Sequence, residues 1–364
     1  MDIMKKKIAL VYGTRPELIK VIPVIREMER NPLIEPFIIN TGQHKEMVRE
    51  LEEKFSITPT VSLDVMRHNQ SLTDIMVNVG QAIQPILQKE QPDVMLVQGD
   101  TSTAATVATV CFYSKIPVGH IEAGLRSFNL YEPYPEEFNR KVITLLAKYN
   151  FTPTHKASKN LLDEGIAQSA IYEVGNTIVD MVEIVKSLNE DIIPVDENLI
   201  LITAHRRENH GEGILNICNA MREIIKIKPQ IRFIWPLHPN PNVKGVVQEE
   251  LKNLPNVQLT EPLNYTELMH IMQSCKLIWS DSGGIQEECP SFKKPVLILR
   301  NVTERPEVVD SGFGKIVGTD IREIVNSTKE ILDDPKVYQQ MISGVNPFGT
   351  GDAAKKIIEI LLTH

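Results

Sequence analysis

In this 364-residue chain, the stretch best suited to gripping an anion is Asp281-Ser282-Gly283-Gly284-Ile285-Gln286-Glu287-Glu288. It follows an apolar run at residues 277–280 that reads as a β-strand. Two successive glycines let a ligand approach the backbone closely, and a helix starting there offers unpaired amides to a negative group. A diphosphate suits such a place. A plain helix N-cap by Asp281 or Ser282 explains a helix start without any ligand, but not two glycines followed by Glu287 and Glu288. Glu288, one turn along, is placed to accept hydrogen bonds from ribose hydroxyls. Its simpler role is to complement the helix dipole.

Cations stand at other strand ends. Arg15, in Gly13-Thr14-Arg15-Pro16-Glu17, follows a first strand, with Pro16 suited to a first helical turn. Its guanidinium can pair with a phosphate or with a departing diphosphate. Lys20 lies one turn further on, where a solvated surface position is the simpler reading. Arg305, in Thr303-Glu304-Arg305-Pro306-Glu307, is a further loop cation of ambiguous role. His205, in Ala204-His205-Arg206-Arg207-Glu208, can hold a diphosphate or supply a proton, and His238 stands at a similar strand end.

Three acids qualify as acid/base groups: Asp100 and Glu122 after strands, and Glu136 after Pro135. Asp100 serves equally well as a cap for a helix starting near Ser102, and Glu136 with Glu137 can simply complement a helix dipole. There is no GxxxxGK[ST], no HExxH and no Asp-x-Asp pair, so neither a metal nor any other cofactor is expected. Gly349-Thr350-Gly351-Asp352-Ala353-Ala354 matches a dinucleotide fingerprint in letters only, since no strand precedes it.

These loops need a scaffold that brings strand ends together. Short apolar runs alternate with helical patterns throughout, which predicts an α/β class of parallel sheets covered by helices. Strands are expected at residues 8–12, 37–40, 94–98, 118–121 and 171–174, then at 199–203, 232–235, 257–260, 277–280 and 295–299. The helical spacing of Leu72, Ile75, Met76, Val79, Ile83, Ile86 and Leu87 predicts a helix over 71–88. Further helices are expected near 214–226, 266–274, 321–332 and 352–362. The polar stretch 186–198, with Pro194, is the expected linker. It separates a first Rossmann-like domain, 1–185, from a second, 186–345, with the helix in 346–364 expected to return to the first. Two such domains facing a central cleft would bring five polar strand ends to one crevice.

Composition narrows the partners. With 42% hydrophobic and 24% charged residues, the chain falls among folded, water-soluble proteins. A net charge of −8 argues against a broad nucleic-acid footprint, so anion binding must be local. Four cysteines without CxxC spacing read as buried reduced thiols, which suits cytoplasm. No apolar run approaches the roughly 18 residues that span a bilayer, so no membrane role is expected.

Together the segments 13–17, 99–101, 119–126, 135–137, 205–208, 281–288 and 303–307 closely resemble the non-hydrolysing UDP-N-acetylglucosamine 2-epimerases over nearly the whole chain. The resemblance implies a glycosyltransferase-B-like fold and a homodimer that interconverts UDP-GlcNAc and UDP-ManNAc without metal or nicotinamide. It implies that Arg15, His205, Ser282, Gly283, Gly284, Glu288 and Arg305 hold UDP with Lys20 nearby. Asp100, Glu122 and Glu136 would be the catalytic acids, with His205 as a further catalytic group and base and acid unassigned. It also implies an activating UDP-GlcNAc site at Gln43, His44, Gln70, Arg206 and His238, although Asn69 and Glu46 replace an arginine and a glutamine of the family pattern. A hydrolysing epimerase, a glycosyltransferase of the same fold and a non-catalytic UDP-sugar sensor are the alternatives.

Overall fold

A computed structural model describes residues 5–43, 45–65, 70–188, 194–237 and 240–364, without the side chains of residues 45, 46, 241 and 242. His44, Asn69 and His238 lie outside the described residues, as does the side chain of Glu46. The chain divides into two compact units, Met1–Ile184 with Phe348–His364, and Val185–Pro347.

The first unit is built on a seven-stranded parallel sheet. Its strands are β1 Lys6–Tyr12, β2 Ile34–Asn40, β3 Val61–Ser62, β4 Val94–Gln98, β5 Val118–Ile121, β6 Tyr149–Thr152 and β7 Ile171–Glu173. The helices are α1 Arg15–Arg30, α2 Lys45–Phe55, α3 Leu72–Glu90, α4 Ser102–Tyr113, α5 Glu136–Leu146, α6 His155–Asp163 and α7 Thr177–Ser187. β1, β4 and β5 are short apolar runs because helices cover both faces of the sheet. α1 starts where the sequence signals it: Thr14 caps it, and Glu17 returns a bond to the Thr14 amide in a capping box.

A six-stranded parallel sheet forms the second unit: β8 Asp196–Thr203, β9 Arg232–Pro236, β10 Val257–Thr260, β11 Cys275–Ser280, β12 Val296–Ile298 and β13 Gly314–Ile316. Around it lie α8 Glu212–Ile227, α9 Pro241–Leu251, α10 Tyr265–Ser274, α11 Gly283–Glu288, α12 Pro306–Asp310, α13 Ile321–Asp333 and α14 Pro335–Ile342. The core packs Ile214, Met221 and Ile224 of α8 with Trp235 and Trp279 from the sheet.

The last helix, α15 Ala353–Thr363, belongs to the first unit, where it packs on α1. Asp180 of α7 caps it by accepting from the Ala353 and Ala354 amides at 3.3 and 2.9 Å. Asp180 is mostly buried, which pushes its carboxyl up to about 6 against the lowering by those two amides. The glycines at 349 and 351 take positive φ in the turn before this helix, a backbone role that accounts for the fingerprint-like letters there.

The α/β class is as the sequence predicts, and three strands go beyond it: β3, β6 and β13. Each has four residues or fewer, too few to show a period. The polar stretch at 186–198 is shorter as a connection than expected. α7 continues through Ser187 and β8 already starts at Asp196.

Candidate active site

In the first sheet the order is β3-β2-β1-β4-β5-β6-β7, so the winding reverses between β1 and β4. In the second it is β10-β9-β8-β11-β12-β13, reversing between β8 and β11. Open α/β sheets bind ligands outside the carboxyl ends of strands at such a reversal. Asp100 and His205 lie in the loops after β4 and β8, and the turns after β1 and β11 lead straight into Arg15 and Gly283, the first residues of α1 and α11. Each unit therefore has motif loops on both sides of its own switch point.

In the first unit, Gly13 has no room for a side chain, since a Cβ there would stand 2.1 Å from Thr41 Oγ1. The close approach lets α1 begin at once, with Arg15 as its first residue. Buried Glu17 ties this loop to the one after β4. It accepts from the Gly13 and Thr14 amides at 3.0 and 2.7 Å and from the Thr101 hydroxyl at 2.6 Å. Burial pushes its carboxyl up, opposed by those bonds. Thr101, not Asp100, caps α4, which leaves the Asp100 carboxylate out of helix capping.

The Asp100 carboxylate is held by Arg140 of α5, whose Nε donates to Oδ2 at 2.9 Å while Nη2 pairs with the same oxygen at 2.7 Å. Glu122, at the end of β5, has φ of +69°, a conformation uncommon for a residue with a side chain and enriched where function constrains the backbone. Its Oε1 pairs with Lys20 Nζ, and its Oε2 accepts from the Gln98 amide. Lys20 is therefore not the solvated surface cation its spacing suggests. With a side chain 13% exposed, it faces an acid that is 8% exposed. Glu136 opens α5, and its Oε2 is buried without a hydrogen-bond partner among the described residues. Beneath these loops the buried ring of His120 is bonded to the Gly99 carbonyl at 2.7 Å, and burial lowers its pKa to about 4.

In the second unit, Asp281 is fully buried and takes no part in capping α11, whose N-cap is Ser282. Instead its carboxylate accepts from the His205 and Arg206 amides at 2.9 and 2.8 Å and from the Asn209 amide group at 2.9 Å. The His205 ring stands 3.7 Å from the same carboxylate, beyond hydrogen-bond range. Asp281 thus shapes the His205-Arg206 turn from beneath. A Cβ on Gly283 would lie 3.9 Å from a terminal guanidinium nitrogen of Arg206 and of Arg305 alike, so two cations flank this glycine at the start of α11. Arg305 is oriented by Nε on the buried Glu287, and its amide donates to Thr303 Oγ1 at 3.0 Å. Arg206 Nε is buried with no hydrogen-bond partner among the described residues. Gly284 is exposed, and Glu288, the last residue of α11, is buried.

Of the expected activating site, Gln43 and Gln70 sit in the first unit. Gln43 accepts from Thr103 Oγ1 at 3.0 Å, and Gln70 donates to the Val65 carbonyl at 3.1 Å. Arg206 is in the second unit beside Gly283, and His44 and His238 are outside the described residues. Sequence reasoning overlooked Arg140 and Asn209. Arg140 had a legible signal, a charged residue in helical register with the buried Ile143 and Thr144.

Chemically, the first unit offers oriented carboxylates for proton transfer and the second offers guanidinium groups beside the start of a helix for a phosphate. The family profile of UDP-N-acetylglucosamine 2-epimerase matches residues 26–362. A UDP-N-acetylglucosamine 2-epimerase of Neisseria meningitidis serogroup A is 43% identical, covering 98% of this chain and all of its own. The crystal structure of the Neisseria meningitidis enzyme bound to UDP-GlcNAc superposes with a TM-score of 0.91 at 43% identity, over 98% of this chain and 100% of that one. The Methanocaldococcus jannaschii enzyme in complex with UDP-GlcNAc and UDP gives 0.82 at 34% identity, over 98% and 100%.

Proposed function

Because the chain belongs to the UDP-N-acetylglucosamine 2-epimerase family, we propose that it epimerises UDP-GlcNAc at C2, to UDP-ManNAc, by elimination and re-addition of UDP. The C2 proton of the sugar is not next to a carbonyl, so its removal alone is too costly. Coupled loss solves this. A carboxylate takes the C2 proton, the C2–H electron pair forms the C1–C2 double bond, and the C1–O pair leaves with UDP. The product is 2-acetamidoglucal. A second acid then protonates C2 from the opposite face while a UDP oxygen re-forms the bond to C1.

The observation that carries this reading is the set of three carboxylates, Asp100, Glu122 and Glu136, at the ends of β4 and β5 and the start of α5, each in different surroundings. Two proton transfers on opposite faces need more than one such group, and acids in unlike environments can divide the work. The developing charge on the leaving diphosphate falls to Arg206, Arg305 and the amides at Gly283, with Arg15 and His205 as further contacts and Glu288 for the ribose. Gly13, Glu17 and Asp281 hold the loops.

The test is incubation with UDP-GlcNAc in D2O, followed by NMR. Deuterium at C2 in both epimers with little free UDP is the expected result. Unlabelled, unchanged substrate overturns the proposal. Stoichiometric free ManNAc and UDP moves it to a hydrolysing enzyme, and sugar transfer to an added acceptor moves it to a glycosyltransferase.

A further inference from the structure

We infer that Arg140 is the positioning residue that aims Asp100, an inference resting on the assignment of Asp100 to the sugar chemistry above. α5 is amphipathic, and Asn139 and Arg140 lie on its buried side with Ile143 and Thr144. A guanidinium on a buried helix face is tolerated only when its donors are engaged. Here Nε donates to Asp100 Oδ2, Nη2 pairs with the same oxygen, and Nη1 donates to Glu137 Oε2 at 3.2 Å. Asn139 holds the same residue by its main chain, donating to the Asp100 carbonyl at 2.8 Å. Two consecutive α5 residues thus clamp the backbone and the side chain of one acid.

The clamp is itself anchored. Glu137 is fully buried and accepts from the Ser127 and Phe128 amides at 3.0 and 3.2 Å, so Arg140 cannot swing without breaking a buried pair. The contrast with Glu122 is informative. Glu122 has both oxygens engaged, one by Lys20 and one by Gln98, whereas among the described residues Nε and Nη2 of Arg140 meet the Asp100 carboxylate at Oδ2. A guanidinium offers a carboxylate several donors in one plane, whereas a lysine ammonium in its place would offer a point charge without that fixed geometry. Since Glu136 opens the same helix, α5 carries one acid and orients another. Their separation is then a property of one rigid element.

The simpler role for Arg140 is to neutralise Glu137, and lysine also does that. Arg140→Lys is therefore the discriminating variant, read by C2 deuteration in D2O, UDP affinity by calorimetry and thermal unfolding. A misaimed acid is expected to lower kcat by roughly 10²-fold, with KM and the UDP Kd within about threefold. In an Asp100→Asn background the same change is expected to add less than about threefold, because the partner it aims is gone. Arg140→Ala supplies a second measurement, in which millimolar ethylguanidinium restores turnover if the fork is what matters. Wild-type kcat in Arg140→Lys, a full multiplicative loss in the Asp100→Asn background, or no rescue of folded Arg140→Ala overturns the inference. Wild-type protein without exchange overturns the epimerase reading instead, so the two failures are distinct.

Discussion

In the first unit, acids that follow strands are met by cations from helices: Lys20 of α1 reaches Glu122, and Arg140 of α5 reaches Asp100. In the second unit the strand-end acid, Asp281, is met by three N–H groups from the neighbouring loop, while Arg206 and Arg305 gather at a glycine. The same topological position is thus used in opposite ways. An acid held through a side-chain ion pair keeps an oriented oxygen for chemistry. An acid whose lone pairs are filled by backbone amides becomes part of the scaffold, and the cations around it are left to meet a ligand.

The sharpest way to break this contrast is to remove the charge of one acid on each side. Asp100→Asn or Glu122→Gln is expected to lower kcat by about 10²–10⁴-fold, with the UDP Kd within about threefold by calorimetry. A comparable loss of UDP affinity would erase the division of labour. Asp281→Ala is expected to act on folding, costing about 3 kcal/mol in urea unfolding because buried N–H groups lose their acceptor. If it impaired turnover without lowering stability, Asp281 would belong with the catalytic acids. Arg206→Ala is expected to weaken UDP about tenfold with little change in stability, since its Nε has no hydrogen-bond partner among the described residues to lose. Unchanged affinity would remove it from the phosphate site.

A further effect concerns pH. His120 has a folded pKa of about 4 against an ordinary value of 6.5. Below pH 6.5 the unfolded chain takes up a proton that the folded chain refuses, so stability falls as pH drops towards 4. His120→Gln is expected to flatten that slope in denaturation curves at pH 4–7. An unchanged slope would place the pH sensitivity elsewhere.

The α/β class was readable because alternating short apolar runs and amphipathic helices leave few other architectures. The loops with chemistry were readable for a related reason, since polar clusters directly after strands have few structural excuses. Asp281 shows the limit. Its letters suit an N-cap, and only the folded chain brings the amides of residues 205 and 206, remote in sequence, onto its carboxylate. Lys20 is a similar case, because helical spacing alone suggests a surface cation and does not reveal that β5 ends beside it with an acid. Strand order, which sets the two switch points, is a tertiary property that no local pattern encodes.

α15 carries one more consequence. The chain leaves the first unit within α7, builds the whole of the second, and only then supplies the helix that covers α1. On the ribosome, α1 must therefore wait through the synthesis of more than 160 intervening residues, Val185–Pro347, before its last neighbour emerges. During translation the second unit is the first that can be completed. The half bearing the acids acquires its final packing only when the Ala353 and Ala354 amides reach Asp180. Truncations at the carboxyl terminus should therefore be felt first in the amino-terminal half.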